Sequence, residues 1–148
     1  MTNRAAHEKA RTSHEVKLTE AEGFAAIALV AVKADGVIVP EEAAGLATTL
    51  ARMRMYRGWT QARVIATLNK LIEMLKKEGV EVVLGAACAT LRPELKETAY
   101  AVAADLIMAD HVVNDLEDES LSRVQHHLGL DNETALPLFR AMMVKNRG

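Results

Sequence analysis

Aromatic residues make up only 3% of this 148-residue chain, which also holds a single cysteine, three prolines and no excess of positive charge. Each shortage excludes something. With Cys88 alone, the chain cannot build an internal disulfide framework or a zinc site of several cysteines, and a reducing compartment is expected. Lys and Arg number 18 against 20 Asp and Glu, which removes the broad basic footprint of a general nucleic-acid binder. Long apolar runs are missing too. The longest, Gly23 to Val32, is bounded by Glu22 and Lys33 and falls well short of the roughly 20 residues a spanning helix needs. Met1 to Lys17 is polar and mixed in charge, with no secretory hydrophobic region, so a cytoplasmic protein is expected.

What is present is alanine, leucine, valine and methionine, an apolar half better suited to helices than to strands. Thr19 and Glu22 form a capping box that opens an Ala-rich helix to about Ala34, apolar on nearly every side and therefore central. Asp35-Gly36 breaks it, and Pro40 suits the first position of a second helix with Glu41 and Glu42 in its opening turn. Thr60 caps a third helix, with Val64, Leu68, Leu71 and Leu75 at helical spacing and Gly79 as its stop.

Val80 to Leu91 is a short apolar segment containing the one β-like candidate, Val80 to Leu84. Pro93 opens a second Ala-rich helix to about Ala109, also apolar nearly all round. After Asp110-His111 a helix is expected from about Asp115 to Leu128, stopped by Gly129. A last segment starts at Asp131, and Pro137 should kink or split it. The expectation is an all-α, compact multihelical domain over residues 18–148, with two central Ala-rich helices and a polar arm over 1–17.

An internal repeat rises above fold class. Asp110 and Glu117 stand 75 residues after Asp35 and Glu42, and Glu22, Ala26, Ala28, Ala34, Val37 and Leu46 recur at that offset as Glu97, Ala101, Ala103, Ala109, Val112 and Leu121. Each half places an acid at a helix C-terminus and another in the first turn of the next helix. Glutamates at such positions are explained by capping alone, as Asn114 with Glu117 illustrates. Asp35 and Asp110 are not, because a carboxylate there faces the negative end of the helix dipole, at a cost of about 0.3–1 kcal/mol. Two readings follow: Asx-turn bonds that shape each corner, or a hard divalent cation held by Asp35, Glu42, Asp110 and Glu117. Carboxylates and loop carbonyls suit calcium, magnesium or manganese; zinc is the poorer match, with only His111, His126 and His127 nearby in sequence.

The stretch from Glu22-Gly23-Phe24-Ala25-Ala26-Ile27-Ala28 into Ala34-Asp35-Gly36-Val37-Ile38, with Glu42 seven residues after the aspartate, resembles the TerB-like tellurite-resistance family over approximately Leu18 to Met143. The resemblance implies an all-helical fold around two long central helices with a duplicated acidic corner. It also implies divalent-metal binding through the same four acids, and a place in tellurite resistance or related stress responses. Its partners would be proteins of a stress-response assembly, some of them membrane-associated. The second corner departs from the pattern, reading Asp110-His111 in place of Asp-Gly, and Val39 stands where a capping Ser or Asp is usual.

Charge is polarised along the chain. Asp105 to Glu119 carries six acids and no Lys or Arg, while Arg52 to Glu78 is rich in basic residues. Within the latter, Arg52-Met53-Arg54-Met55-Tyr56-Arg57-Gly58-Trp59 reads as helix-end packing with a protein contact through Arg54 and Arg57, and not as a nucleic-acid patch. Cys88, set among alanines with no base in sequence reach, reads as a small buried hydrophobe. Enzymatic activity is therefore not expected. A metal-free adaptor, whose acids only structure the corners, is the alternative function.

Overall fold

The computed structural model describes residues 16–33, 37–110, 113, 115–116 and 118–147, except for the side chain of Asp110. Seven α-helices and one 3-10 turn, Arg54–Tyr56, are formed among these residues, with no strand. The helices are α1 (Glu20–Val32), α2 (Pro40–Ala51), α3 (Gln61–Glu78), α4 (Val80–Ala89), α5 (Pro93–Asp110), α6 (Glu119–Leu128) and α7 (Asn132–Lys145). None is long and apolar enough to cross a membrane.

The central position of α1 follows from its composition. Every residue from Gly23 to Ala31 is buried, and α2, α3, α4, α5 and α6 all pack on it. Its start is the expected capping box: Glu22 N–H donates to Thr19 Oγ1 at 3.1 Å, and Thr19 N–H to Glu22 Oε1 at 2.9 Å. The helix closes at Val32, two residues before the expected end, where Lys33 turns extended while its N–H still donates to the Leu29 carbonyl.

Glu22 also takes Lys70 of α3 in an ion pair at 2.8 Å. Burial pushes its carboxyl up, but the Lys70 ammonium and the Thr19 N–H outweigh it, so the group titrates below its ordinary 4.5. The unfolded chain therefore binds more protons in acid, and this contribution is complete above about pH 4.5 and is lost as pH falls below it. Glu22→Gln should lower the melting temperature at pH 7 and narrow its drop between pH 5 and about pH 3, measured by circular dichroism. An unaltered acid limb would show that the pair does not couple to folding.

The second Ala-rich helix is less enclosed than its sequence suggests. Among the described side chains of α5, only Ala99, Tyr100, Ala103, Ala104 and Ile107 are fully buried, forming one face against α1, α6 and α7. Ala101 and Val102 are half-buried, and Ala109 is exposed. Alanine is compatible with either environment, so an Ala-rich stripe marks helix more firmly than depth.

Val80–Ala89 is a helix. A strand there would leave its backbone N–H and C=O groups without a partner sheet, whereas a helix aligns Val83, Leu84, Ala87 and Cys88 on one buried face. Gly79 makes the break from α3 with φ 89°, a conformation side chains resist. Pro137 does not split the last helix, which runs through it from Asn132 to Lys145. The carbonyl that would have accepted its missing N–H belongs to Glu133; both residues face solvent, where water can satisfy the freed group. Packing of Ala135 and Phe139 into the core, and Asp131 Oδ1 accepting from Thr134 N–H at 2.8 Å, hold the helix on either side. The packed region reaches back to Val16, which is buried within the stretch expected as a polar arm.

Candidate functional site

Among the four acids, Glu42 is the one whose side chain is described. It stands at the third position of α2, and its carboxylate bends back over the connection from α1: Oε1 accepts from Val39 N–H at 3.2 Å, and Oε2 lies 3.6 Å from Lys33 Nζ. This is the backward reach expected from Pro40 at the first helical position. Val39 supplies no side-chain acceptor, so the usual reciprocal cap is reduced to Glu42 alone. Asp110 is the last residue of α5, as expected, with its backbone at the negative end of that helix. Asp35, Glu117 and the side chain of Asp110 lie outside the described residues, as does His111.

The second corner is built differently from its sequence expectation. α6 begins at Glu119, four residues later than Asp115, and its cap is Asp118, whose Oδ1 accepts from Leu121 N–H at 3.1 Å. Asp115 and Leu116 fall in the bend before it. In sequence Glu117 therefore precedes the cap, whereas Glu42 follows its own cap. An aspartate at the helix start competed with the expected Asn114–Glu117 box; both are good capping chemistry, and sequence alone did not rank them.

Among the described residues no three His, Cys, Asp or Glu side chains gather as a metal-ligand group. His127 is committed elsewhere: its Nε2 lies 2.6 Å from Glu81 Oε2 of α4, and Arg123 Nε is 3.7 Å from the other Glu81 oxygen. These contacts tie α6 to α4. His126, exposed, meets the neighbouring ring edge-on. Cys88 is buried, and burial pushes its thiol up to about 12 against the pull of the Lys96 ammonium, so it stays protonated and unreactive near neutrality.

The stretch between α2 and α3 holds its own cluster. Tyr56 is buried and its hydroxyl donates to the Ala21 carbonyl at 2.6 Å, pinning the 3-10 turn to the start of α1. Trp59 meets Tyr56 edge-on at 5.1 Å, and the Arg63 guanidinium lies 3.7 Å above the Trp59 ring. Met53 and Met55 pack partly into the core, in line with the helix-end packing read from the sequence. Arg54 and Arg57 are exposed. The role of Tyr56 was missed: its partner lies 35 residues back, beyond any local pattern, and its place in a scarce aromatic set was the only signal. No family model, curated protein or solved structure matches the chain.

Proposed function

We propose that the protein is a non-enzymatic helical domain of the TerB-like kind that binds a divalent cation at its interhelical acidic corners, within a tellurite or related metal and oxyanion stress response. The observation that carries this is the Glu42 carboxylate. It is turned back from α2 toward the end of α1, where among the described residues it meets one N–H at 3.2 Å and one ammonium at 3.6 Å. Lys33 thus brings a positive charge to the corner where a cation is proposed. The donor chemistry fits a hard ion: Glu42 with Asp35, and Asp110 with Glu117, would supply carboxylate oxygens, and calcium, magnesium or manganese would neutralise Asp110, the acid that the C-terminus of α5 disfavours. The family resemblance rests on Glu22 to Ile38 and the recurring residues of the second half. Its implied assembly of stress-response proteins, membrane-associated members included, is part of the same proposal.

The contacts of Glu42 also favour a second reading. Both of its oxygens have a partner, which is what a metal-free adaptor with structural corners requires. Calorimetric titration with calcium, manganese and zinc separates the two. The metal reading expects saturable heat with calcium or manganese, abolished in Asp35→Asn with Asp110→Asn, and tighter binding in Lys33→Ala, where the competing ammonium is gone. Identical heats for the wild type and the double variant would leave the adaptor.

A further inference from the structure

Arg52, Arg54 and Arg57 are exposed along the corner between α2 and α3. Arg52 has a structural reason for its place, because it caps the C-terminus of α2, where the dipole favours a cation. Arg54 and Arg57 have no such reason. They bracket a 3-10 turn, with Arg57 N–H donating to the Arg54 carbonyl at 3.0 Å. Residues three apart in such a turn lie one above the other, so both side chains leave the backbone on one side while Tyr56 enters the core. Neither guanidinium has an ion-pair or hydrogen-bond partner among the described residues. Two exposed positive charges thus leave one short turn, and no ion pair with either is formed among the described residues.

The ground around them is apolar. Met53, Met55 and Trp59 are half-buried, leaving part of two adaptable thioether side chains and an indole in reach of solvent beside the arginines. A phosphate backbone has no use for the methionines. The Trp59 face that a base would stack on is covered by Arg63, and the net charge of −2 opposes a long polyanion. Along α3 the positive charge is interrupted by acids, Lys70 being held by Glu22 and Lys76 by Glu73.

We propose that this corner docks a segment of a partner protein in which carboxylates flank an apolar side chain. The forks of Arg54 and Arg57 take the carboxylates, and Met53, Met55 and the Trp59 edge take the apolar group. The surface uses none of the four corner acids, so it stands or falls separately from the metal reading.

The test uses the full chain, EDTA and low salt, with a fluorescently labelled synthetic peptide of Asp, Glu and Leu as the probe. Peptide anisotropy and emission of Trp59, the single tryptophan, report binding. The expected result is saturable binding that weakens with added salt and falls roughly tenfold or more in Arg54→Glu with Arg57→Glu, at an unchanged melting temperature. The same peptide without Leu and a single-stranded oligonucleotide should bind more weakly. Absence of peptide binding, equal affinity for the double variant, or tighter binding of the oligonucleotide or the all-acid peptide would each overturn the proposal.

Discussion

Gly23→Ala is expected to cost about 1–3 kcal/mol of stability, although alanine is the better helix former by roughly 1 kcal/mol. Gly23 lies in the first half of α1, where it faces the end of α4. A Cβ there would overlap Thr90 Oγ1 and stand 2.8 Å from the Ala87 carbonyl oxygen. The threonine hydroxyl is itself tied to that carbonyl at 2.7 Å, so it cannot swing away freely. α1 and α4 pack closely along their length, and separating them to admit a methyl group would loosen the packing around Phe24, Leu84 and Ala87. Urea denaturation measures the effect. Thr90→Ala in the Gly23→Ala background should recover part of the loss, because it removes one obstruction and leaves the carbonyl. An unchanged or higher urea midpoint for Gly23→Ala would mean that the helices are not in this register.

Tyr100→Phe should act in the opposite direction, raising stability by about 1–3 kcal/mol, the cost of a buried polar group without a partner. Tyr100 is fully buried in α5, and its hydroxyl has no hydrogen-bond partner among the described residues. Burial pushes its phenol up to about 12, so ionisation offers no relief near neutrality. Phenylalanine keeps the ring and removes the stranded oxygen. Tyr56 is the internal control: equally buried, it donates to the Ala21 carbonyl, and Tyr56→Phe should destabilise by leaving that acceptor short. Thermal denaturation of the two variants at neutral pH should therefore shift in opposite directions. A loss of stability in Tyr100→Phe would show that its hydroxyl is satisfied.

The legible parts of the fold are those decided by local chemistry. Thr19, Pro40, Thr60, Gly79, Gly129 and Asp131 each mark a helix boundary through a cap, a fixed φ or a positive φ, and these boundaries stand where their residue types place them. What escaped depends on partners distant in sequence. Val80 to Leu84 has strand-like residues, but only the surface of α1 decides that they are helical. Pro137 looks like a breaker until its exposure and the burial of Phe139 two residues on are known. The start of α6 turned on a choice between two competent caps.

The candidate site was legible in the same uneven way. Glu42 reaches back as its helical position requires, because the first turn of a helix leaves few other directions for a short acid. Its pairing with Lys33 was not read, since Lys33 appeared only as the boundary of an apolar run. Arg54 and Arg57 could be singled out by composition. That they share one side of a 3-10 turn could not, because nothing local distinguishes that turn from the tail of α2.

The most direct test of the central claim is the broadening of backbone amide signals by manganese in a nuclear magnetic resonance titration. Binding at the acidic corners predicts loss of signal at substoichiometric metal, confined to residues 33–42 and the neighbourhood of Asp110 and Glu117, and reversed by excess calcium. Broadening spread evenly over exposed carboxylates, or centred on the Glu81–His127 contact, would contradict it.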